Sequence, residues 1–385
     1  MQSFEFQPTT QITFGANSLN QLGTITMGFN VSHVLLVTDP GIIAAGHVSR
    51  ALNALKNQGI RCDVFSAVEE NPTTEHVERG VEFAVNAGKI ELIIALGGGS
   101  SMDCAKGINF LLTNDGKMED YWGHGKADKP MLPSIGIPTT AGTGSEAQSY
   151  ALISHAETHR KMACGDIKAR FHHVILDPML TESVPSEVRA VTAIDAVSHA
   201  VESYVCTRRN PISQLYAKEA WRLLEANFAA IFQSPTIEHW GNMLLGANFS
   251  GMAIENSMLG AAHATANPLT ARFGITHGKA VAVMLPSVVR YNARDNATAD
   301  LYRELMHAAG IAADATNSVE PLVARLQELI RSAGLPTLLS ELDVSEDVLK
   351  QLSGDAAEQW TGNFNPRPVK AEQLYEIYQL AYTAD

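Results

Sequence analysis

Residues 92 to 106 read Leu92-Ile93-Ile94-Ala95-Leu96-Gly97-Gly98-Gly99-Ser100-Ser101-Met102-Asp103-Cys104-Ala105-Lys106: an apolar run, a glycine turn and a helix start. A strand with one wet face alternates apolar and polar residues, whereas an unbroken apolar run is buried on both faces. Such a strand belongs to a parallel sheet covered by helices. Similar runs at 34–38, 62–65 and 134–137 alternate with helical patterns at 48–58, 74–87 and 101–112. A short hairpin is expected near 4–14, ahead of the first of these strands.

The second half changes character. Pro185-Ser186-Glu187 reads as a helix start with Ser186 as cap. Tyr216, Ala220, Leu223, Leu224, Phe228 and Ile231 share one face of an amphipathic helix over 213–232. Residues 243–266, crowded with Gly and Ala, read as a buried central helix. Further helices are expected at 300–309, 319–333, 345–352 and 370–381. The chain of 385 residues is long enough for two domains. These are an α/β domain over 1–180 and an all-helical domain over 181–385, with the boundary near Asp177-Pro178.

Net charge is −13, with no basic cluster, which argues against nucleic acid or an anionic membrane as partner. No run of 18 apolar residues exists to span a bilayer, and the N-terminus lacks the pattern of a secretory signal. Cys62, Cys104, Cys164 and Cys206 are scattered, without a C-x-x-C pair. They suit a reducing, cytoplasmic setting.

The turn Gly97-Gly98-Gly99-Ser100 lets backbone amides approach an anion at a helix N-terminus, so a pyrophosphate is the natural guest. A tight strand-to-helix turn needs the same glycines. A second turn, Pro138-Thr139-Thr140-Ala141-Gly142-Thr143-Gly144-Ser145-Glu146, offers hydroxyls and glycines for phosphate, ribose or amide groups, or is simply a loop. Asp39 ends a strand, where an acid can accept from a ribose hydroxyl and repel a 2′-phosphate, or can cap a turn before Pro40.

Asp195 and His199 lie four residues apart in an apolar stretch, so on a helix they share one face. With His263 and His277 they make an oxygen-plus-nitrogen set suited to Fe(II), Zn(II), Mn(II) or Co(II). The same spacing also suits a surface ion pair or hydrogen-bonded core histidines.

Taken together, Gly97-Gly98-Gly99-Ser100-x-x-Asp103-x-x-Lys106, the turn from Pro138 to Glu146, Asp195-x-x-x-His199, His263 and His277-Gly278 resemble the iron-containing, or group III, alcohol dehydrogenases. The resemblance runs over nearly the whole chain. It implies a Rossmann-like dinucleotide-binding domain, then a helical metal-binding domain like that of dehydroquinate synthases, with the active site in a cleft between them. It implies NAD(H) as cofactor and Fe(II) as metal, with Zn(II) as the alternative. It assigns Asp195, His199, His263 and His277 as metal ligands. For the cofactor it assigns Asp39, Asn71, Gly97, Gly98, Gly99, Ser100, Asp103, Thr139, Thr140, Thr143, Ser145 and Lys161. A divalent ion with three neutral imidazoles and one carboxylate carries net +1, which favours an alkoxide.

His277 and Asn267 fall at the catalytic centre by the same resemblance. Asn267 departs from a frequent His-x-x-x-His-Pro pattern, and an amide cannot shuttle a proton near neutral pH. Family positions put Tyr150, Ala151, Ile254, Met258 and Phe364 around the substrate. Arg272, a little further along than Asn267, is expected to reach the cleft and favour an anionic or polar aldehyde. The expected activity is interconversion of a small primary alcohol and its aldehyde by hydride transfer at nicotinamide C4. The alternative is a polyol or glycerol dehydrogenase, or a maleylacetate reductase-type enzyme. A homodimer or larger assembly is implied.

Overall fold

The computed structural model describes residues 3–158, 160–313 and 318–383. It divides into an α/β unit, Gln7–Val184, and a helical unit from Pro185 onward that also includes the N-terminal segment through Phe6.

Among the described residues of the α/β unit there are nine strands: β1 Gln11–Phe14, β2 His33–Val37, β3 Arg61–Phe65, β4 Leu92–Gly97, β5 Gly123–His124, β6 Ser134–Pro138, β7 Tyr150–Ser154, β8 Lys161–Gly165 and β9 His173–Leu176. Six of them form a sheet in the order β1-β9-β6-β4-β2-β3, parallel throughout. Strands β2, β4, β6 and β9 are buried at every residue, as expected of a sheet covered on both faces. The core on one face joins Leu36, Ile94, Ile135 and Ile175 to Val48, Ala51 and Leu55 of the helix His47–Lys56. A second sheet, β5-β8-β7, has an antiparallel β7–β8 pair.

The expected hairpin near 4–14 does not form. Strand β1 instead pairs in parallel with β9, with Gln11 opposite His173 and Phe14 opposite Leu176. The pairing energy comes from a partner about 160 residues away, which local patterning does not register.

Two buried imidazoles are expected to make this unit acid-sensitive. His47 is 2.7 Å from Ser183 Oγ, and His173 is 2.8 Å from Thr13 Oγ1. Burial lowers both below their ordinary 6.5, and the neighbouring Arg50 charge adds to it at His47. The unfolded chain therefore takes up protons first as pH falls. The stability these groups contribute is present above about pH 6.5 and is lost as pH drops toward their folded values. The unfolding midpoint is expected to fall between about pH 7.5 and 5.5, and by less in His173→Gln, which cannot titrate. An equal fall in that variant would exclude His173 as a source.

The helical unit contains Ser186–Val205, Pro211–Phe228, Ala230–Gln233, Ile237–Glu255, Ala261–Phe273, His277–Asn292 and further helices to Tyr382. Pro185 occupies the cap position, and Ser186 is the first helical residue with no capping hydrogen bond from its side chain. The helix expected at 213–232 starts earlier, where Asn210 Oδ1 accepts from the Ile212 and Ser213 amides at 3.0 Å, and it breaks at Ala229. The single central helix expected over 243–266 is two helices. The first ends at Glu255 and the second starts after Gly260, where a Cβ would lie 3.0 Å from Asn365 Oδ1 and 3.1 Å from Glu202 Oε1. Among the described residues no helix is long and apolar enough to cross a membrane.

Candidate active site

In the α/β unit the glycine turn closes between β4 and the helix Gly99–Asn114, with Gly98 at the cap position. Gly97 has φ +155°, and a Cβ on it would meet Ser101 Oγ at 2.4 Å. Gly99 faces the second turn, where a Cβ would meet Thr143 Cγ2 at 2.7 Å. Gly98 comes as close as 3.5 Å to Thr140 by the same measure. The glycines thus serve two ends: an open row of amides and close contact between two loops.

The other predicted cofactor residues gather around this turn. Asn71, at φ 54°, donates its amide to Ser100 Oγ at 3.2 Å. Asp39 caps the helix Pro40–Ala44 through the Ile42 amide at 3.1 Å and accepts from Ser101 Oγ at 3.2 Å. Thr139 donates its amide to Gly97 O at 2.9 Å, and its hydroxyl is buried with no hydrogen-bond partner among the described residues. Ser145 Oγ donates to Asp103 at 2.6 Å and accepts from the buried Lys106 Nζ at 3.0 Å. Lys106 also donates to Ser145 O at 2.7 Å and Tyr150 O at 2.8 Å. A buried carboxylate and ammonium hold both loops in one network. Burial pushes the Asp103 carboxyl up, against the pull of Lys106 and Ser145. Lys161 begins β8, exposed and opposite Ser154.

In the helical unit Asp195 and His199 project from the helix Ser186–Val205, His263 lies in the first turn of Ala261–Phe273, and His277 opens the next helix. Asp195 Oδ1 lies 3.3 Å from His199 Nε2, 3.5 Å from His263 Nε2 and 3.7 Å from His277 Nε2. His199 Nε2 and His263 Nε2 are 3.2 Å apart. Tetrahedral bonds of about 2.1 Å would set ligands about 3.4 Å apart. The ligand atoms of Asp195, His263 and His277 all lie within 4.8 Å of one another, a grouping that suits one ion, and His199 adjoins Asp195 and His263. Asp195 Oδ1 is buried and makes no hydrogen bond of acceptable geometry among the described residues. Burial raises the Asp195 pKa, but the His199, His263 and His277 rings outweigh it and hold the carboxyl below its usual range. His263 rises to about 9, because Glu202 and Asp195 outweigh burial. The site draws positive charge, as protons or as a metal.

Glu202 was not anticipated. Its Oε2 is 2.5 Å from His263 Nδ1, and its Oε1 accepts from the Ala262 amide at 2.7 Å. Its signal was present: Asp195, His199 and Glu202 follow i, i+4, i+7 spacing on one helical face.

Asn267 sits one turn after His263 and donates to Gln359 Oε1 at 3.1 Å. Arg272 is ion-paired with Asp355. That pairing offsets the charge it was expected to offer a substrate. Tyr150 and Ala151 are neighbours on β7, whose residues alternate between half-buried and buried, with Ala151 buried. Ile254 and Met258 are buried, and Phe364 is half-buried.

A family model for iron-containing alcohol dehydrogenases matches residues 8–178, and one for the C-terminal region of that family matches 189–382. Alcohol dehydrogenase 4 of Schizosaccharomyces pombe is 33% identical over 96% of this chain and 86% of that one. The 1,3-propanediol dehydrogenase of Klebsiella pneumoniae is 31% identical over 96% of each chain. A crystal structure of 1,3-propanediol oxidoreductase superposes with a TM-score of 0.94 at 29% identity, over 99% of this chain and 100% of that one. A sulfoacetaldehyde reductase from Bifidobacterium kashiwanohense, in complex with NAD+, gives 0.89 at 25% identity over the full length of both. The chain belongs to the iron-containing alcohol dehydrogenase family and is a metal-dependent, NAD-linked oxidoreductase of alcohols and aldehydes.

Proposed function

We propose that the enzyme interconverts a small primary alcohol and its aldehyde at a divalent metal held by Asp195, His199, His263 and His277. The observation that carries this reading is the convergence of three imidazole Nε2 atoms on one buried Asp195 oxygen. Fe(II) is the metal we favour and Zn(II) the alternative, because this donor set accepts both. When bound, the metal acts as a Lewis acid on the substrate oxygen and lowers the barrier to hydride transfer.

The chain's own residues supply binding and orientation. The amides of Gly97 to Ser100 and the helix beginning at Gly99 hold the pyrophosphate, with Thr139, Thr140 and Thr143 along the cofactor. Asp39, fixed by Ser101 and Ile42, accepts from the adenosine ribose and repels a 2′-phosphate, which favours NAD(H). Asn71, Asp103, Ser145 and Lys161 complete the cradle. Asn267, held by Gln359, contributes a neutral hydrogen-bonding group and moves no proton. A homodimer or larger assembly in the cytoplasm fits the family and four unpaired cysteines.

The test is NADH oxidation with a panel of short aldehydes, on protein stripped of metal and reloaded with Fe(II) or Zn(II). Activity is expected to vanish on stripping and to return with metal on a small neutral aldehyde. Restored activity on polyols or maleylacetate alone would move the enzyme to the alternative class. No activity with any metal, despite tight NADH binding, would overturn the reading.

A further inference from the structure

We propose that Glu202 is the positioning residue of the metal site, fixing His263 so that its Nε2 lone pair faces the ion. This rests on the metal assignment made above. Glu202 is only 4% exposed, and both its oxygens are engaged. A carboxylate only accepts, so the 2.5 Å contact places the hydrogen on His263 Nδ1. The neutral ring then carries its lone pair on Nε2, the atom that faces Asp195 and His199.

The second oxygen gives the contact its direction. Glu202 Oε1 accepts from the Ala262 amide, next to His263 in sequence. One carboxylate therefore clamps both the ring and the backbone that carries it. The neighbouring amide, Ala261, is held separately by Asn365 Oδ1 at 3.2 Å. Asn365 is locked by Asn292, whose Oδ1 accepts from Asn365 Nδ2 at 2.7 Å. Gly260 leaves room for both acceptors. Glu202 and Asn365 thus make equivalent contacts to the helix start, but Glu202 alone of the two also touches a ligand ring. Asn365 is an internal control for the purely structural part of the role.

There is an electrostatic consequence. The divalent ion with Asp195 carries +1, and Glu202 behind His263 brings the buried group to neutrality. A carboxylate behind a ligating histidine also strengthens it as a donor. Glu202 therefore supports metal retention in a site that would otherwise hold uncompensated charge.

The test uses the full-length protein with Zn(II) alone, titrated against a chromophoric chelator. Glu202→Gln keeps the shape, but its one remaining acceptor oxygen cannot serve both His263 and Ala262. The Zn(II) Kd is expected to rise about 10- to 100-fold. Asn365→Ala, which loosens the helix start without touching the ring, is expected to change it far less. Nitrogen-15 spectra of zinc-loaded wild-type protein should show His263 bound through Nε2 and protonated at Nδ1. A folded Glu202→Gln protein with wild-type affinity overturns the proposal, and so does zinc on Nδ1. If Glu202→Gln does not fold, the wild-type spectrum decides. Wild-type protein that binds no Zn(II) would instead overturn the metal assignment itself.

Discussion

Replacing His263 with alanine is expected to cut turnover by at least about 10³-fold while leaving NADH binding in place. A Lewis-acid metal contributes several kcal/mol to transition-state stabilisation, and each 1.4 kcal/mol is a factor of ten. The substitution removes a ring that lies 3.5 Å from Asp195 Oδ1 and 3.2 Å from His199 Nε2. It also leaves the buried Glu202 carboxylate without its imidazole partner, so metal loss is expected to accompany the loss of rate. The residues proposed for the dinucleotide lie in the other compact unit, on the segments after β2, β3, β4 and β6 and at the start of β8, and the contacts among them do not involve His263. Steady-state rates, NADH fluorescence titration and metal analysis on the same sample check this. A variant that turns over without bound metal would sink the ligand assignment.

What the sequence revealed divides along a physical line. Features whose cause is local were legible. Five apolar residues before three glycines in 92–99 mark a buried strand and a strand-to-helix turn. D-x-x-x-H marks one helical face. Features whose cause is a distant partner were not. Strand β9, His173–Leu176, is only four residues long and gains its place by pairing with β1 and β6. Strand β1 looked like half of a hairpin because nothing nearby reveals a partner at residue 173. The start of the second helix at Ala261 is held by Asn365, over a hundred residues on. Lys106 could be placed beside the glycine turn, but not its acceptors Ser145 and Tyr150, which lie on later loops and strands. Glu202 is the instructive miss. It stands in register with Asp195 and His199, but an acid without a visible role reads as surface.

Gly278→Ala is expected to destabilise the helical unit by about 2 kcal/mol and to weaken metal binding by more than about tenfold. Helix propensity alone points the other way, since alanine gains up to about 1 kcal/mol over glycine inside a helix. The close approach decides the sign. A Cβ on Gly278 would lie 2.2 Å from the backbone oxygen of Val191 and 2.7 Å from its Cβ. A main-chain carbonyl cannot rotate away as a side chain would, so the helix His277–Asn292 must move off the helix Ser186–Val205. Val191 stands one turn before Asp195 on that helix, so displacement here carries His277 away from the oxygen it now faces at 3.7 Å. The glycine beside His277 is thus what lets that ring approach Asp195, as the proposed ligand set requires. Gly274 provides the contrast. It sits at φ +63° at the end of the helix Ala261–Phe273, and a Cβ on it would meet nothing. Gly274→Ala is expected to cost about 1 kcal/mol of backbone strain while metal affinity holds. Chelator competition and thermal unfolding on both variants separate the two causes. Equal metal affinity in Gly278→Ala and wild type would show that the helices can part without disturbing the ligands, and that close packing there serves stability alone.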